Sequence, residues 1–133
     1  MTEAVDLLLM IGADDWIQAL DIYHAVQKAI GPESREDRIV ACVGAGRELL
    51  AGGLVTVGDV TRDGFAPWSL SVDEAIAEIA LRWALLADAR PQLGDVCWLK
   101  LTPRGRAAAE ELRAARLPKN RPQADQPSPR QPG

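Results

Sequence analysis

The stretch Arg47-Glu48-Leu49-Leu50-Ala51-Gly52-Gly53-Leu54-Val55 decides the fold, because it carries the chain from a helix into a strand across two glycines. A helix is predicted from near Ser34 to about Ala51, since one apolar stripe recurs there at spacings of four, three and four. That stripe consists of Ile39, Val43, Gly46 and Leu50. The two glycines supply the left-handed exit that ends many helices. The β-branched run Leu54–Val60 then predicts a strand.

Two shorter helices are predicted before this stretch. The first is the apolar run Ala4–Ile11, which Gly12 ends. Asp15–Gln18 is a brief β-like segment, and a second helix covers Ala19–Ala29. In that helix the residues expected on one buried face are Ile22, Val26 and Ile30.

A second strand, a long insertion and a last helix are predicted after it. The strand is Val96–Thr102, and we expect it to pair antiparallel with Leu54–Val60, because the apolar faces of both must return to the same core. The 35 residues 61–95 lie between the two strands and contain the capping box Ser71–Glu74. The apolar stripe of the helix that it begins is Ile76, Ile79, Ala80, Trp83 and Leu86. Pro103 opens the last helix, which we expect to end near Leu117.

The C-terminal segment 118–133 differs in composition from the rest of the chain. It holds five of the nine prolines and almost no large apolar residues, so we expect it to be disordered. Charge is also uneven. Residues 1–98 carry 16 acidic against 7 basic residues, whereas residues 99–133 carry 3 against 8. An acidic body therefore precedes a basic C-terminal end.

The run Arg47–Val55, and the strand-to-helix corner Leu101-Thr102-Pro103-Arg104-Gly105-Arg106, resemble the winged helix-turn-helix superfamily, and in particular small bacterial proteins with an enlarged wing. The resemblance covers about Ala4 to Leu117. It implies an α+β fold with a winged-helix-like domain over residues 1–117. The chain departs from the family at residues 61–95, where a helical insertion stands in place of the short hairpin of an ordinary wing. The tail 118–133 lies outside it.

Nothing in the sequence is arranged like a catalytic, cofactor or metal site. His24 is the single histidine, and Cys42 and Cys97 are too far apart for a metal-ligand motif, although a pairing of His24 with either thiol stays open. We expect buried free thiols in a reducing cytoplasm. The apolar run Leu7–Ile11 is too short to span a bilayer and follows acidic residues, so neither a membrane partner nor a signal peptide is expected. The sequence thus predicts a protein that is not an enzyme and binds no cofactor.

Aromatic residues cluster in the insertion, and two interpretations are open for them. They form either a satellite core that holds the extra helix, or an exposed apolar loop, 65–68, that contacts a partner protein. The candidate contact residues are Phe65, Pro67, Trp68 and Trp83.

The third helix bears on whether the partner is DNA. A helix that reads bases needs long polar side chains on a basic surface. The outward positions expected here are Asp37, Ala41, Gly44, Ala45 and Glu48, which are short or acidic. A nonspecific nucleic-acid anchor could still come from the basic end, through Arg104, Arg106, Arg113, Arg116, Lys119 and Arg121.

We therefore favour a non-catalytic protein-binding module, such as an adaptor or an immunity or antitoxin-like factor. The alternative is a DNA-binding transcriptional regulator. A small-molecule sensor, with a pocket between the insertion and the wing, is a third interpretation.

Overall fold

Two segments far apart in the chain form the centre of one antiparallel sheet. The computed structural model describes residues 3–31, 34–87 and 89–120. Within them the elements, in chain order, are α1 (Glu3–Gly12), β1 (Ile17–Gln18), α2 (Ala19–Ile30), α3 (Arg35–Ala51), β2 (Val55–Thr61), β3 (Gly64–Pro67), α4 (Val72–Ala84), β4 (Trp98–Leu101) and α5 (Pro103–Asn120). The fold is α+β, and the strands lie in the order β1-β4-β2-β3 with antiparallel neighbours throughout.

The predicted pairing of the two long-range strands is confirmed. β2 and β4 run antiparallel, with Val55 opposite Leu101 and Gly58 opposite Trp98. Both strands are displaced or shortened by a few residues relative to the sequence prediction, which is the usual uncertainty at element ends. The apolar alternation of Leu54–Val60 and Val96–Thr102 was therefore sufficient to predict their shared core.

Local caps explain why the helices begin and end where they do. The hydroxyl oxygen of Ser34 accepts a hydrogen bond from the amide of Asp37, and Ser71 and Glu74 form the predicted capping box of α4. Thr102 caps α5 by accepting from the amide of Gly105, while its hydroxyl donates to the carbonyl of Gly53. The corner at Thr102 thus ties the start of α5 to the end of α3.

The core lies between the sheet and the helices. Its fully buried side chains come from α1, β1, α2, α3, α4 and β4 and include Leu8, Leu9, Ile17, Ile22, Leu49, Ile79, Trp83 and Leu99. Within the described residues, no helix combines the length and the apolar character that crossing a bilayer would require.

Two positions of the predicted helix faces are wrong. Ile30, expected in the core, lies at the last residue of α2 and is 47% exposed, because the helix ends before another element can cover it. Ala45, expected to face outward, is buried, because the core side of α3 is centred on Cys42 and Leu49. The buried side of α3 is therefore offset by about one residue from the predicted stripe, whose members Ile39 and Val43 are only half-buried.

The insertion contains a strand that the sequence analysis did not predict. β3 covers three residues of the segment 65–68, which one of the two interpretations placed in an exposed loop, and it pairs with the end of β2. α4 follows and packs against α3. The guanidinium of Arg35, at the start of α3, donates to the carbonyls of Ala84 and Leu86 at the end of α4. α5 continues to Asn120, three residues past its predicted end, and the rest of the tail lies outside the described residues.

Candidate functional site

The two faces of the sheet have different surroundings. Side chains alternate along a strand, so residues that are opposite each other on neighbouring strands share a face. Leu99 and Val57 pair across β4 and β2, are buried, and define the inner face towards the helices. The next row joins Trp98, Gly58 and Pro67, and it therefore lies on the other, outer face.

Three aromatic rings meet on this outer face. Trp16 directly precedes β1, Phe65 lies in β3, and Trp98 lies in β4. The ring centroid of Trp16 is 5.8 Å from that of Phe65 and 6.4 Å from that of Trp98, with tilted and edge-on geometries. Aromatic pairs with such geometry attract each other beyond the effect of their buried area. We call Trp16, Phe65 and Trp98 the aromatic patch.

Gly58 lies beneath the aromatic patch and lets it form. β1 and β3 are at opposite edges of the sheet, three strand spacings or about 14 Å apart. The rings of Trp16 and Phe65 nevertheless meet, so both must lean inwards over the central strands. Gly58, on the central strand β2, places no side chain in their way. A Cβ added there would lie 2.3 Å from the carbonyl oxygen of Ala66, so the close β2–β3 pairing itself requires glycine.

The aromatic patch remains open to solvent. Each of its three rings is only half-buried, whereas the neighbouring inner row is almost fully buried. Val60, which is opposite Phe65, is 38% exposed, and Pro67 is exposed as well. The result is an apolar surface contributed by β2, β3, β4 and the residue that precedes β1.

A strained turn precedes Trp98. Val96 has φ 68°, in the left-handed region that β-branched residues rarely enter, and the amide of Cys97 donates to the carbonyl of Asp95 at 2.8 Å. This three-residue closure is a γ-turn of the positive-φ type, which is uncommon and costly. The guanidinium of Arg82 donates to the carbonyl of Val96 and holds the turn in place. Backbone strain of this kind is concentrated at functional sites.

Trp68 has a different environment from Phe65 and Pro67. Its indole N–H donates to the Asp59 carboxylate, and the Arg82 guanidinium lies 4.5 Å above its ring. Arg82 also forms ion pairs with Glu78 at 2.8 Å and Asp59 at 3.4 Å, and the hydrogen bond to Glu78, followed by the nearby charges, raises the pKa of Arg82. The contacts among Trp68, Asp59 and Arg82 join α4 to β2. Trp68 therefore agrees with the interpretation of a satellite core that holds the extra helix.

Trp83 is fully buried, and its indole N–H donates to the carbonyl of Ala89 at 2.7 Å. It fills the space beneath α4 and is not part of any exposed loop. Of the four candidate contact residues, the structure therefore brings only Phe65 and Pro67 to one open surface. Trp16 and Trp98 join them there, and neither is among the candidate contact residues. The alternation of side chains along a strand could have identified them, because Trp16 is two residues before Gln18, which pairs with Trp98.

The exposed stripe of α3 carries little that could read a base. It consists of Glu36, Asp37, Val40, Gly44, Arg47 and Ala51, and Val40 is 72% exposed. Arg35 is engaged by α4, and the guanidinium of Arg38 donates to the hydroxyl of Tyr23 on α2. Two of the three arginines of this helix therefore hold other elements, and the third, Arg47, is exposed.

The basic residues of α5 are diluted by acidic ones. Arg104, Arg106 and Arg113 are exposed, but Arg106 and Arg113 lie on the same helix face as Glu110. Arg113 also pairs with Asp14 at 3.8 Å. The remaining predicted anchors have no described side chains: Arg116 and Lys119 lie in the end of α5, and Arg121 lies beyond it.

The cysteines do not behave as reactive thiols. Burial raises the pKa of both Cys42 and Cys97 to about 12, so both thiols stay protonated at neutral pH. His24 is exposed on α2, with its ring edge-on to Tyr23 at 5.9 Å. Among the described residues, no group of three or more histidines, cysteines and carboxylates is placed to hold a metal ion.

Comparison of the chain with models of known protein families, with curated proteins and with solved structures gives no match.

Proposed function

We propose that the chain is a non-catalytic protein-binding module on a winged-helix frame, and that the aromatic patch is its contact surface. The observation that carries the proposal is the convergence of Trp16, Phe65 and Trp98 on the outer face of the sheet, where they are only half-buried. Aromatic side chains are enriched among the anchors of protein interfaces.

Chain order and strand order support the winged-helix frame. The chain begins with α1, β1, α2, α3 and β2, which is the order expected of a winged helix. β4 comes later in the chain and lies between β1 and β2 in the sheet. On this frame, β3 and α4 are an enlarged wing between β2 and β4. Phe65 and Pro67 belong to this enlarged wing, so its aromatic contribution to the outer face distinguishes the chain from a plain winged helix.

The energetics of the aromatic patch suit a protein partner. The rings are held in place by each other, so binding immobilises few side chains. Exposed charged residues lie within two chain positions of each ring, and they are Asp15, Asp63 and Lys100. An apolar centre with a charged rim is the usual anatomy of a protein interface. A partner with apolar anchor residues would complete the burial of the patch.

DNA binding is the weaker proposal. Duplex affinity depends on neutralising phosphates, and the basic residues on α5 share their surface with Glu110 and Asp14. The exposed stripe of α3 contains Val40 and Gly44 where a reading helix needs long polar side chains. An adaptor, or an immunity or antitoxin-like factor of the reducing cytoplasm, is more consistent with buried protonated thiols and an acidic body.

Affinity capture from the native host with matched variants tests the proposal. The wild-type chain, Phe65→Ser and Trp16→Ser would each be immobilised, and bound protein and DNA would be scored separately. Leu85→Ser is the control, because Leu85 is an exposed apolar residue of similar size, 76% accessible and located on the far end of the insertion helix.

We expect one protein to be retained by the wild type and by Leu85→Ser and to be lost from both patch variants. Far-ultraviolet circular dichroism of each variant checks that the loss is not due to unfolding. Retention of the same protein by all four chains, or sequence-specific retention of a duplex in place of a protein, would contradict the proposal.

A further inference from the structure

We infer that the proline-rich C-terminal segment, residues 121–133, docks on the aromatic patch of its own molecule and competes there with a partner. The competition rests on the proposed function. The contact between segment and patch does not, since it can be measured without any partner.

The chemistry of the two surfaces matches. Residues 121–133 contain four prolines: Pro122, Pro127, Pro129 and Pro132. Proline-rich segments favour the polyproline II helix, which needs no internal hydrogen bonds and docks on aromatic-lined surfaces with little loss of entropy. Pro129 and Pro132 are three residues apart and so lie on one edge of such a helix. In the aromatic patch, the half-buried rings of Phe65 and Trp98 each lie within 6.4 Å of the ring of Trp16.

The segment starts close enough to reach the aromatic patch. Arg113 in α5 touches Asp14, which precedes Trp16 by two residues or at most about 7 Å of chain. From Arg113 to the end of α5 at Asn120 the helix rises about 10 Å. Thirteen residues in polyproline II conformation span about 40 Å. That span is more than twice the sum of these two separations, which leaves room for the Arg113 and Asp14 side chains that join them. No rearrangement of the described fold is therefore needed.

Charge complements this contact at its edges. The segment carries Arg121 and Arg130 against one acidic residue, Asp125. The exposed carboxylates of Asp15 and Asp63 lie one residue before Trp16 and two residues before Phe65. Lys100 is exposed on the same face and opposes the arginines, so we assign the main contribution to the stacking of proline on aromatic rings. Tethering makes even a weak contact effective, because it sets a local concentration in the millimolar range.

The four tryptophans provide the measurement. In an NMR spectrum of the full chain, the indole N–H signals report Trp16 and Trp98 inside the patch and Trp68 and Trp83 outside it. Replacing all four prolines of the segment by alanine should shift the signals of Trp16 and Trp98 and leave those of Trp68 and Trp83 unchanged. Gln123→Ala with Gln126→Ala is the matched control in the same segment and should shift none of them.

A nitroxide attached at Gln131→Cys gives the second measurement. Cys42 and Cys97 are buried with raised pKa values, so the new thiol would be labelled selectively. We expect the label to weaken the signals of Trp16 and Trp98 most strongly, and the effect to be lost on combining it with Phe65→Ser. An effect that disappears on dilution would overturn the inference, because it would place the segment on a second copy. Unchanged indole signals in the proline variant would overturn it as well.

The partner assay separates this inference from the proposed function. If a partner depends on the aromatic patch but the prolines do not affect the indole signals, the function stands and the docking fails. If the prolines affect the signals but no protein depends on the patch, the docking stands and the function fails. With both correct, the proline variant retains more partner than the wild type.

Discussion

The inner and outer faces of the sheet are made of similar residues and have opposite consequences. Leu99 and Trp98 are neighbours in β4, yet Leu99 is fully buried beneath the helices and Trp98 is half-exposed among other aromatic rings. Burial of the inner side chain contributes to folding in every molecule. The outer ring still has apolar area to bury, and only another surface can supply that burial. Hydrophobicity by itself therefore does not distinguish core from contact surface in this chain.

The insertion also contains both buried aromatic residues and one that lies on the outer face. Trp83 faces the core with its N–H satisfied by Ala89, and Trp68 is covered by Arg82. Phe65, three residues before Trp68, projects to the outer face. One segment thus supplies both the residues that attach it and the residues that we propose it presents.

Trp83→Ala has the largest expected effect on stability. It removes a fully buried ring and leaves the carbonyl of Ala89 without its partner, so we expect the free energy of unfolding to fall by about 4 kcal/mol. Urea denaturation followed by circular dichroism measures it. Leu85→Ser, at an exposed site on the same insertion, should change the value by less than about 0.5 kcal/mol. A loss of less than about 1 kcal/mol from Trp83→Ala would mean that the insertion is not part of the core.

Gly58→Ala has an intermediate expected effect. The added Cβ meets the backbone of Ala66 at 2.3 Å, so β3 must move away from β2, at a cost of about 2 kcal/mol. Because β3 carries Phe65, the ring should also move away from Trp16, and the indole signal of Trp16 should shift. Gly44→Ala is the matched control, since an added Cβ there meets nothing within 4 Å and alanine favours the helix. Equal stability of the two variants would contradict the close β2–β3 pairing.

Much of the fold could be predicted from the sequence, because local signals and the needs of the core agree there. The glycine exit at Gly53 and the serine cap at Ser71 each act within one turn of the chain. The pairing of β2 with β4 followed from their matching alternation.

The candidate site was less predictable, because it depends on contacts between edges of the sheet. β3 is four residues long, contains Gly64 and Pro67, and shows no burial alternation, so nothing local marks it as a strand. The meeting of Trp16 with Phe65 depends on the order of four strands and on the missing side chain of Gly58. The γ-turn at Val96 places a β-branched residue at a positive φ, which such residues avoid, so the sequence around it does not predict the turn. The hydrogen bond from Arg82 to the carbonyl of Val96 helps to hold it.

The smallest expected effect is a difference in pH dependence, and it tests whether the inner face is dry next to the open outer one. Cys97 precedes Trp98 and points to the inner face, where burial raises the pKa of its thiol from 9.0 to about 12, although the charge of Arg82 acts in the opposite direction. Above pH 9 the unfolded chain loses this proton and the folded chain keeps it. The stability is therefore complete below pH 9 and is lost as the pH rises towards 12. Between pH 9 and 10 the loss from this one thiol should be about 1 kcal/mol.

Cys97→Ala should reduce the slope of unfolding free energy against pH by that amount, while Trp98→Phe, one residue away on the outer face, should leave the slope unchanged. Equal slopes for the wild type and Cys97→Ala would show that solvent reaches both faces of β4, and the contrast between them would then not hold.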